Sequence, residues 1–255
     1  MKDVRVLRVF TRDGAGGNHL GVVENPTGLD TNAMQAVAAE LGYSETVFFE
    51  PTQIRIFTPT AELPFAGHPL VGSAWVLGNG VDGSGGTMTI QIGDIRYHIE
   101  DGLAWVELDQ PGIVHPAGES DAVQFGLPAA HRAYLVELPL PYLIFEYDDP
   151  EAVRSAKPEM KAIEQSGAEV YIVSAEALGM RARFFAPALG VDEDPATGSA
   201  ATALAAVRVA QGQDRGEHLI HQGEEIGQPC AIHLCWSDGT VSLGGTVVED
   251  EPRSI

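Results

Sequence analysis

A chain of 255 residues with a formal charge of −21 repels polyanions, which excludes nucleic acid and anionic membrane surfaces as natural partners. Its 44% apolar content is that of a globular protein with a substantial core, and no apolar run reaches bilayer-spanning length. Cys230 and Cys235 form no CxxC or Cys/His zinc pattern, so no structural metal is expected. On one strand the two would lie roughly 16 Å apart on opposite faces, too far for a disulfide. The opening Met1-Lys2-Asp3-Val4-Arg5 alternates like a strand and lacks an apolar signal region, which makes the cytoplasm the expected location. Lysine is confined to Lys2, Lys157 and Lys161. The acidic surface reads as solvated and salt-adapted, with a basic partner as the lesser alternative.

In chain order, Val4 to Thr11 reads as a strand, and a Gly-rich turn at 12–17 leads to the apolar run Asn18-His19-Leu20-Gly21-Val22-Val23. Asp30 or Thr31 caps a helix with Met34, Val37, Ala38 and Leu41 on one face, stopped by Gly42. Glu45 opens the strand Thr46-Val47-Phe48-Phe49, and a second strand, 53–58, ends at Pro59. The loop from Ala61 to His68 introduces a helix from Pro69 to about Leu77, closed by Gly78. Strands at 87–92, 95–100 and 103–108 form a meander that turns at Gly93-Asp94 and at Asp101-Gly102, the latter a strong hairpin signal. Residues 111–118 read as a linker.

The order then returns: a strand region at 133–147, a helix at 150–165, and strands at 169–173 and 180–185. The stretch Asp192-Glu193-Asp194-Pro195-Ala196-Thr197-Gly198-Ser199 follows. Asp194 is placed to cap, and Pro195 to open, a helix reaching about Gln211. Strands near Leu219, Ala231 and Val241 complete the chain, with a last hairpin at Asp238-Gly239.

His68-Pro69-x-x-Gly72-Ser73-Ala74 is echoed by Asp194-Pro195-x-x-Gly198-Ser199-Ala200, which points to a long internal duplication rather than a short repeat. The expected architecture is α+β, with two pseudo-symmetric domains, 1–112 and 113–255, the last residues free to return to the first. Each is a curled, mostly antiparallel sheet wrapped around a central helix rich in small residues. The two helix starts are expected to face each other across the interdomain cleft, where their free N–H groups attract an anion.

Five stretches carry a resemblance: Gly17-Asn18-x-Leu20, Ser44-Glu45-Thr46, the run from Phe57 to Pro69 with Glu62-Leu63-Pro64-Phe65-Ala66-Gly67-His68, Glu193-Asp194-Pro195-Ala196-Thr197-Gly198-Ser199-Ala200, and Gln222-Gly223-x-x-x-Gly227-x-Pro229. Together they resemble the PhzF family, named for the phenazine-biosynthesis isomerase, within the diaminopimelate epimerase-like fold. His19 stands where the family commonly has proline, and Gln228 precedes Pro229 where arginine is common. The resemblance implies an isomerase that needs no cofactor, acts on a small carboxylate-bearing molecule and forms a homodimer.

It also implies Glu45 as the proton shuttle. An overlay of the halves puts Glu169 opposite Glu45, and only the resemblance favours Glu45. His68 and Asp194, at matched helix starts, are expected to position substrate and assist transfer; as plain structure they are a turn histidine and a helix cap. Gly72, Ser73, Gly198 and Ser199 are candidates to hold a substrate carboxylate, or else serve helix–sheet packing. Gln222 and Gly223 are candidates for an anion nest, and Asn18 for a ligand contact or an αL turn. Asp109, Asp148 and Asp149 read as surface charge. A two-thiol amino-acid epimerase is disfavoured because no cysteine lies near either helix start. A noncatalytic metabolite-binding or interaction protein of the same fold is the alternative of another class.

Overall fold

The computed structural model describes residues 3–109, 112–138 and 140–255. Met1 and Lys2, the first residue of the expected linker, Pro111, and Pro139 inside the expected 133–147 strand region lie outside the described residues.

The first half runs β1 (Asp3–Val9), β2 (Asn18–Val23), α1 (Thr31–Leu41), β3 (Glu45–Phe49), β4 (Ile54–Phe57), β5 (Glu62–Leu63), α2 (Gly67–Leu77), β6 (Gly85–Ile90), β7 (Gly93–Glu100) and β8 (Leu103–Asp109). The second runs β9 (Ile113–Pro116), α3 (Asp121–Gln124), β10 (Arg132–Glu137), β11 (Pro141–Tyr147), α4 (Pro150–Arg154), α5 (Met160–Ser166), β12 (Glu169–Glu176), β13 (Gly179–Ala186), β14 (Val191–Asp194) and α6 (Gly198–Ala210). It closes with β15 (Arg215–Gln222), β16 (Cys230–Ser237), β17 (Thr240–Gly245) and β18 (Val247–Ser254).

These strands form two sheets. The smaller has the order β18-β1-β2-β3-β4-β5. The larger runs β6-β7-β8-β17-β16-β15-β13-β12-β11-β10-β9, with β14 on β13. The last strand, β18, returns to the first sheet beside β1, and the two halves of the chain join where β8 pairs β17. The α+β class and the two-part, mostly antiparallel layout are as the sequence suggested.

Alternation along the strands builds the layers. Phe48 of β3 faces outward onto Met34, Ala38 and Leu41 of α1, whereas Val47 joins the inner core with Leu70 and Ala74 of α2. In the second half Val170 and Ile172 of β12 face outward with Val153 and Ile163 of α4 and α5, whereas Tyr171 and Val173 face inward with Leu204 and Ala205 of α6. Every residue of α6 from Gly198 to Arg208 is buried. Both cysteines lie on β16 as free thiols. Among the described residues no helix is long and apolar enough to cross a membrane.

Several expected boundaries move for local reasons. The 150–165 helix is two helices, because Pro158 cannot continue the first and disfavours helical backbone at the residue before it. The first meander turn falls at Gln91 and Ile92, since Ile90 pairs Gly93. Part of the expected linker is the strand β9, paired with β10. The large correction concerns the two central helices. α6 starts at Gly198, not Pro195, with Thr197 at its N-cap and Ala201 N–H bonded to the Thr197 carbonyl at 3.1 Å. α2 starts at Gly67, so His68 sits within its first turn. The sequence echo pairs His68 with Asp194, but in space Gly67 meets Gly198. A Cβ on Gly67 would stand 2.5 Å from the Gly198 Cα. Only glycines let the two helix starts touch backbone to backbone.

Candidate active site

Two uncapped helix starts form the floor of the interdomain cleft. Neither Ala66 nor Thr197, the N-cap residues, makes a side-chain capping bond, so the first N–H groups of α2 and α6 keep their hydrogen-bonding capacity. Pro69 at the third position of α2 has no N–H to satisfy.

The acidic cluster is assembled over this floor. Asn18 begins β2 and is buried. Its backbone is extended rather than αL, and its amide donates to Asp194 Oδ1 at 2.9 Å, to the Ala196 carbonyl at 3.1 Å and, at 3.4 Å, towards His68 Nδ1. Ser44 donates to Asp194 Oδ1 at 3.0 Å and to Asn18 Oδ1 at 3.1 Å. Thr197 donates to Asp194 Oδ2 at 2.6 Å. Asp194 therefore does not cap α6. It ends β14, four residues before the helix, and is held by three side chains from three segments.

Glu45 is different. As the first residue of β3 it points inward, and its Oε2 lies 3.1 Å from His68 Nδ1 yet has no aligned hydrogen bond. Burial and then the neighbouring Asp194 push its pKa well above the ordinary carboxylate range. Burial also raises Asp194, to about 6, but the bonds from Thr197, Ser44 and Asn18 oppose that rise. Two coupled carboxyls cannot both ionise cheaply, and the one with three donors gives up its proton first. A proton shared by the pair therefore rests on Glu45 rather than on Asp194. Burial lowers His68 to about 3, with a bond to the His19 backbone pulling weakly the other way. The imidazole is neutral there, and its Nδ1 lies close to the Glu45 carboxyl without an aligned hydrogen bond.

The cavity between the halves is lined by Glu45, Ser44, Asp194, Thr197, Ser199 and Tyr142 among others. Ser199, second in α6, lies beside the Tyr142 hydroxyl. Gly198 is packed against Gly67 and Leu243, which is the packing role, while its N–H remains at the helix start.

Four expected site residues lie elsewhere. Gly72 and Ser73 are in the second turn of α2, where helical N–H groups already have partners. Gly72 is packed on Leu20 and Val9, and Ser73 is fully buried. Gln222 is fully buried beneath the cluster, its amide donating to the Asp194 carbonyl at 2.8 Å and Thr197 Oγ1 at 3.0 Å. It props the turn that presents Asp194. Gly223 has φ +83° and lies so close to the Pro195 and Gln228 carbonyls that no Cβ fits; it packs the same turn and forms no open nest. Glu193 of the acidic stretch is tied by Arg183 through two bonds of 2.8 Å and is structural. Asp109, Asp148 and Asp149 are exposed as expected.

The site residues missed by sequence reasoning are Ser44, Thr197 and Tyr142. Ser44 and Thr197 stood inside the recognised stretches, next to Glu45 and Gly198. Tyr142 had no signal at all.

In this curled α+β roll the two inner helices start beside one buried carboxyl pair, which sets acid–base groups in the cleft between the halves. The comparisons make the class particular. The phenazine biosynthesis-like protein family, PhzC-PhzF, matches residues 7–249. An uncharacterised isomerase of Mesorhizobium japonicum is 34% identical, over 89% of this chain and 87% of that one. The trans-2,3-dihydro-3-hydroxyanthranilate isomerase of Pseudomonas chlororaphis is 32% identical, over 88% of this chain and 86% of that one. Among solved structures, a predicted epimerase of Pseudomonas aeruginosa superimposes with a TM-score of 0.79 at 30% identity, covering 100% of this chain and 99% of that one. The chain belongs to the PhzC-PhzF family and is an isomerase of the PhzF type.

Proposed function

We propose that the protein moves a proton between two carbons of a small carboxylate-bearing metabolite, with Glu45 as the shuttle. The observation that carries this reading is the contrast within one pair: Asp194 has three hydrogen-bond donors, and the buried Oε2 of Glu45 has none among the described residues. A carboxyl without fixed donors that starts protonated can give its proton to one carbon, take one from another on the same face, and end the cycle unchanged. Its raised pKa brings it closer to the pKa of a carbon acid, which favours transfer in both directions. His68 stands close to that carboxyl. Asp194 holds Glu45 protonated at rest and fixes Asn18 and Ser44 around it. The uncapped starts of α2 and α6 suit the substrate carboxylate. The Pseudomonas relatives are named for isomerisation of trans-2,3-dihydro-3-hydroxyanthranilate, which bears a carboxylate and serves as a model substrate.

The test is turnover of that compound in D₂O, followed by NMR at each carbon. Glu45-dependent deuterium at one carbon, absent in Glu45→Gln, is the expected result. Turnover undiminished in Glu45→Gln would remove Glu45 from the role.

A further inference from the structure

The cavity that holds Glu45 is small, about 40 Å³. As it stands it has room for a few waters. It is not isolated. Leu63, Phe65, Leu140 and Tyr142 also line an adjoining space of about 70 Å³, whose far wall is Leu138. Phe65 and Leu138 in turn line a third cavity of about 330 Å³, between β7, β8 and the second turn of α6. Phe65 lines all three spaces, and so stands between the reacting carboxyl and a chamber of ring size. Ile92 stands 53% exposed on the rim of that chamber. The rim is also acidic. Arg96 is paired with Glu107 at 2.7 Å, which leaves Asp94 and Asp109 unbalanced among the described residues.

We propose that the substrate is elongated: its reacting, carboxylate-bearing end sits at Glu45, and an apolar arm of ring size passes Phe65 into the outer chamber. The far end of that arm is neutral or cationic, because Asp94 and Asp109 repel a second anion. This rests on the reading of the inner cleft as a carboxylate site with Glu45 as shuttle, and it adds the chemical class of what enters.

The probes are benzoate, 3-phenylpropionate, 5-phenylpentanoate and 5-(4-carboxyphenyl)pentanoate, titrated by calorimetry into the full chain. Affinity is expected to rise at least tenfold from benzoate to 5-phenylpentanoate, and to fall back at least tenfold when the distal carboxylate is added. In Leu138→Trp, which narrows the path, and in Ile92→Asp, an exposed turn position, the gain with length is expected to shrink below threefold. Circular dichroism and the melting temperature confirm that both variants are folded. A flat series, a gain unchanged in both variants, or no binding of any probe overturns the elongated site. A series that lengthens as expected, in a protein with no Glu45-dependent deuterium exchange, supports the elongated site and overturns the shuttle reading alone.

Discussion

Glu45 and Glu169 occupy the same place in the two halves and live in different surroundings. Each is the first residue of an inner strand, and each strand pairs in parallel with the one before it, Glu45 beside Leu20 and Glu169 beside Tyr142. Each leaves one carboxyl oxygen buried without a hydrogen-bond partner. Burial raises both, Glu169 to about 7. The difference is the company. Glu45 faces His68 and is raised further by the charge of Asp194; Glu169 is raised by burial alone and does not line the cavity around Glu45. Burial therefore does not by itself mark a shuttle. What separates the two is a charged partner and access to the cleft.

The largest expected effect breaks the comparison outright. Glu45→Gln is expected to slow deuterium exchange at carbon by about 10²–10⁴-fold, the usual worth of a positioned acid–base group, while Glu169→Gln stays within about threefold. Equal losses would mean that the halves contribute alike.

Next comes the joint between the halves. Gly67→Ala drives a Cβ into the Gly198 backbone, which has no room to give, and is expected to cost about 2–3 kcal/mol in urea denaturation. At Gly72 the obstacle is the flexible end of Leu20, so Gly72→Ala is expected to cost less, about 1 kcal/mol. A reversed order would show that the helix starts are not in firm contact.

A smaller effect sharpens the role of Asp194. Asp194→Asn removes the charge that helps hold the proton on Glu45, so the Glu45 pKa is expected to fall. Carbon-13 NMR of labelled glutamate reads both carboxyls at once, and Glu169 is expected not to move. A Glu45 resonance whose titration is unaltered would detach the two acids.

The smallest effect belongs to Glu169. Its folded pKa, about 7, stands above the ordinary value of 4.5. The folded state therefore binds more protons than the unfolded state between those values, and this group's contribution to stability is lost as pH rises through about 7. Glu169→Gln is expected to melt higher than the wild type above pH 7, by on the order of 1 kcal/mol, with the gain vanishing towards pH 4. A gain independent of pH would point to packing instead of charge.

Short-range features were legible because the chain encodes them locally. Asp30 caps α1 by accepting from Ala33 N–H at 2.8 Å, and Gly42 closes it with φ +66°. Asp101-Gly102 and Asp238-Gly239 turn with positive φ at both residues, as the hairpin signal requires. Glu45, His68, Asp194, Asn18 and Ser199 were legible as a set because their stretches match a family. Their arrangement was not. Asp194-Pro195 satisfies every local rule for a helix start, yet the helix waits until Gly198. Asn18, Ser44 and Thr197 bond the Asp194 carboxylate where it stands, and Gly198 must reach Gly67. Long-range bonds outweighed a cap worth about 1 kcal/mol.

The sequence alone determined the element types, the turns, the small-residue helices that had to be buried, and the acids available for chemistry. Those follow from dihedral preference, periodicity and composition, which act over a few residues. Tertiary structure decided which residues start the facing helices, which carboxyl keeps its proton, and that Gly72, Ser73, Gln222 and Gly223 support the site from outside the cleft. Those outcomes depend on donors and charges brought together from Asn18 to Thr197, and no local rule reaches across that distance.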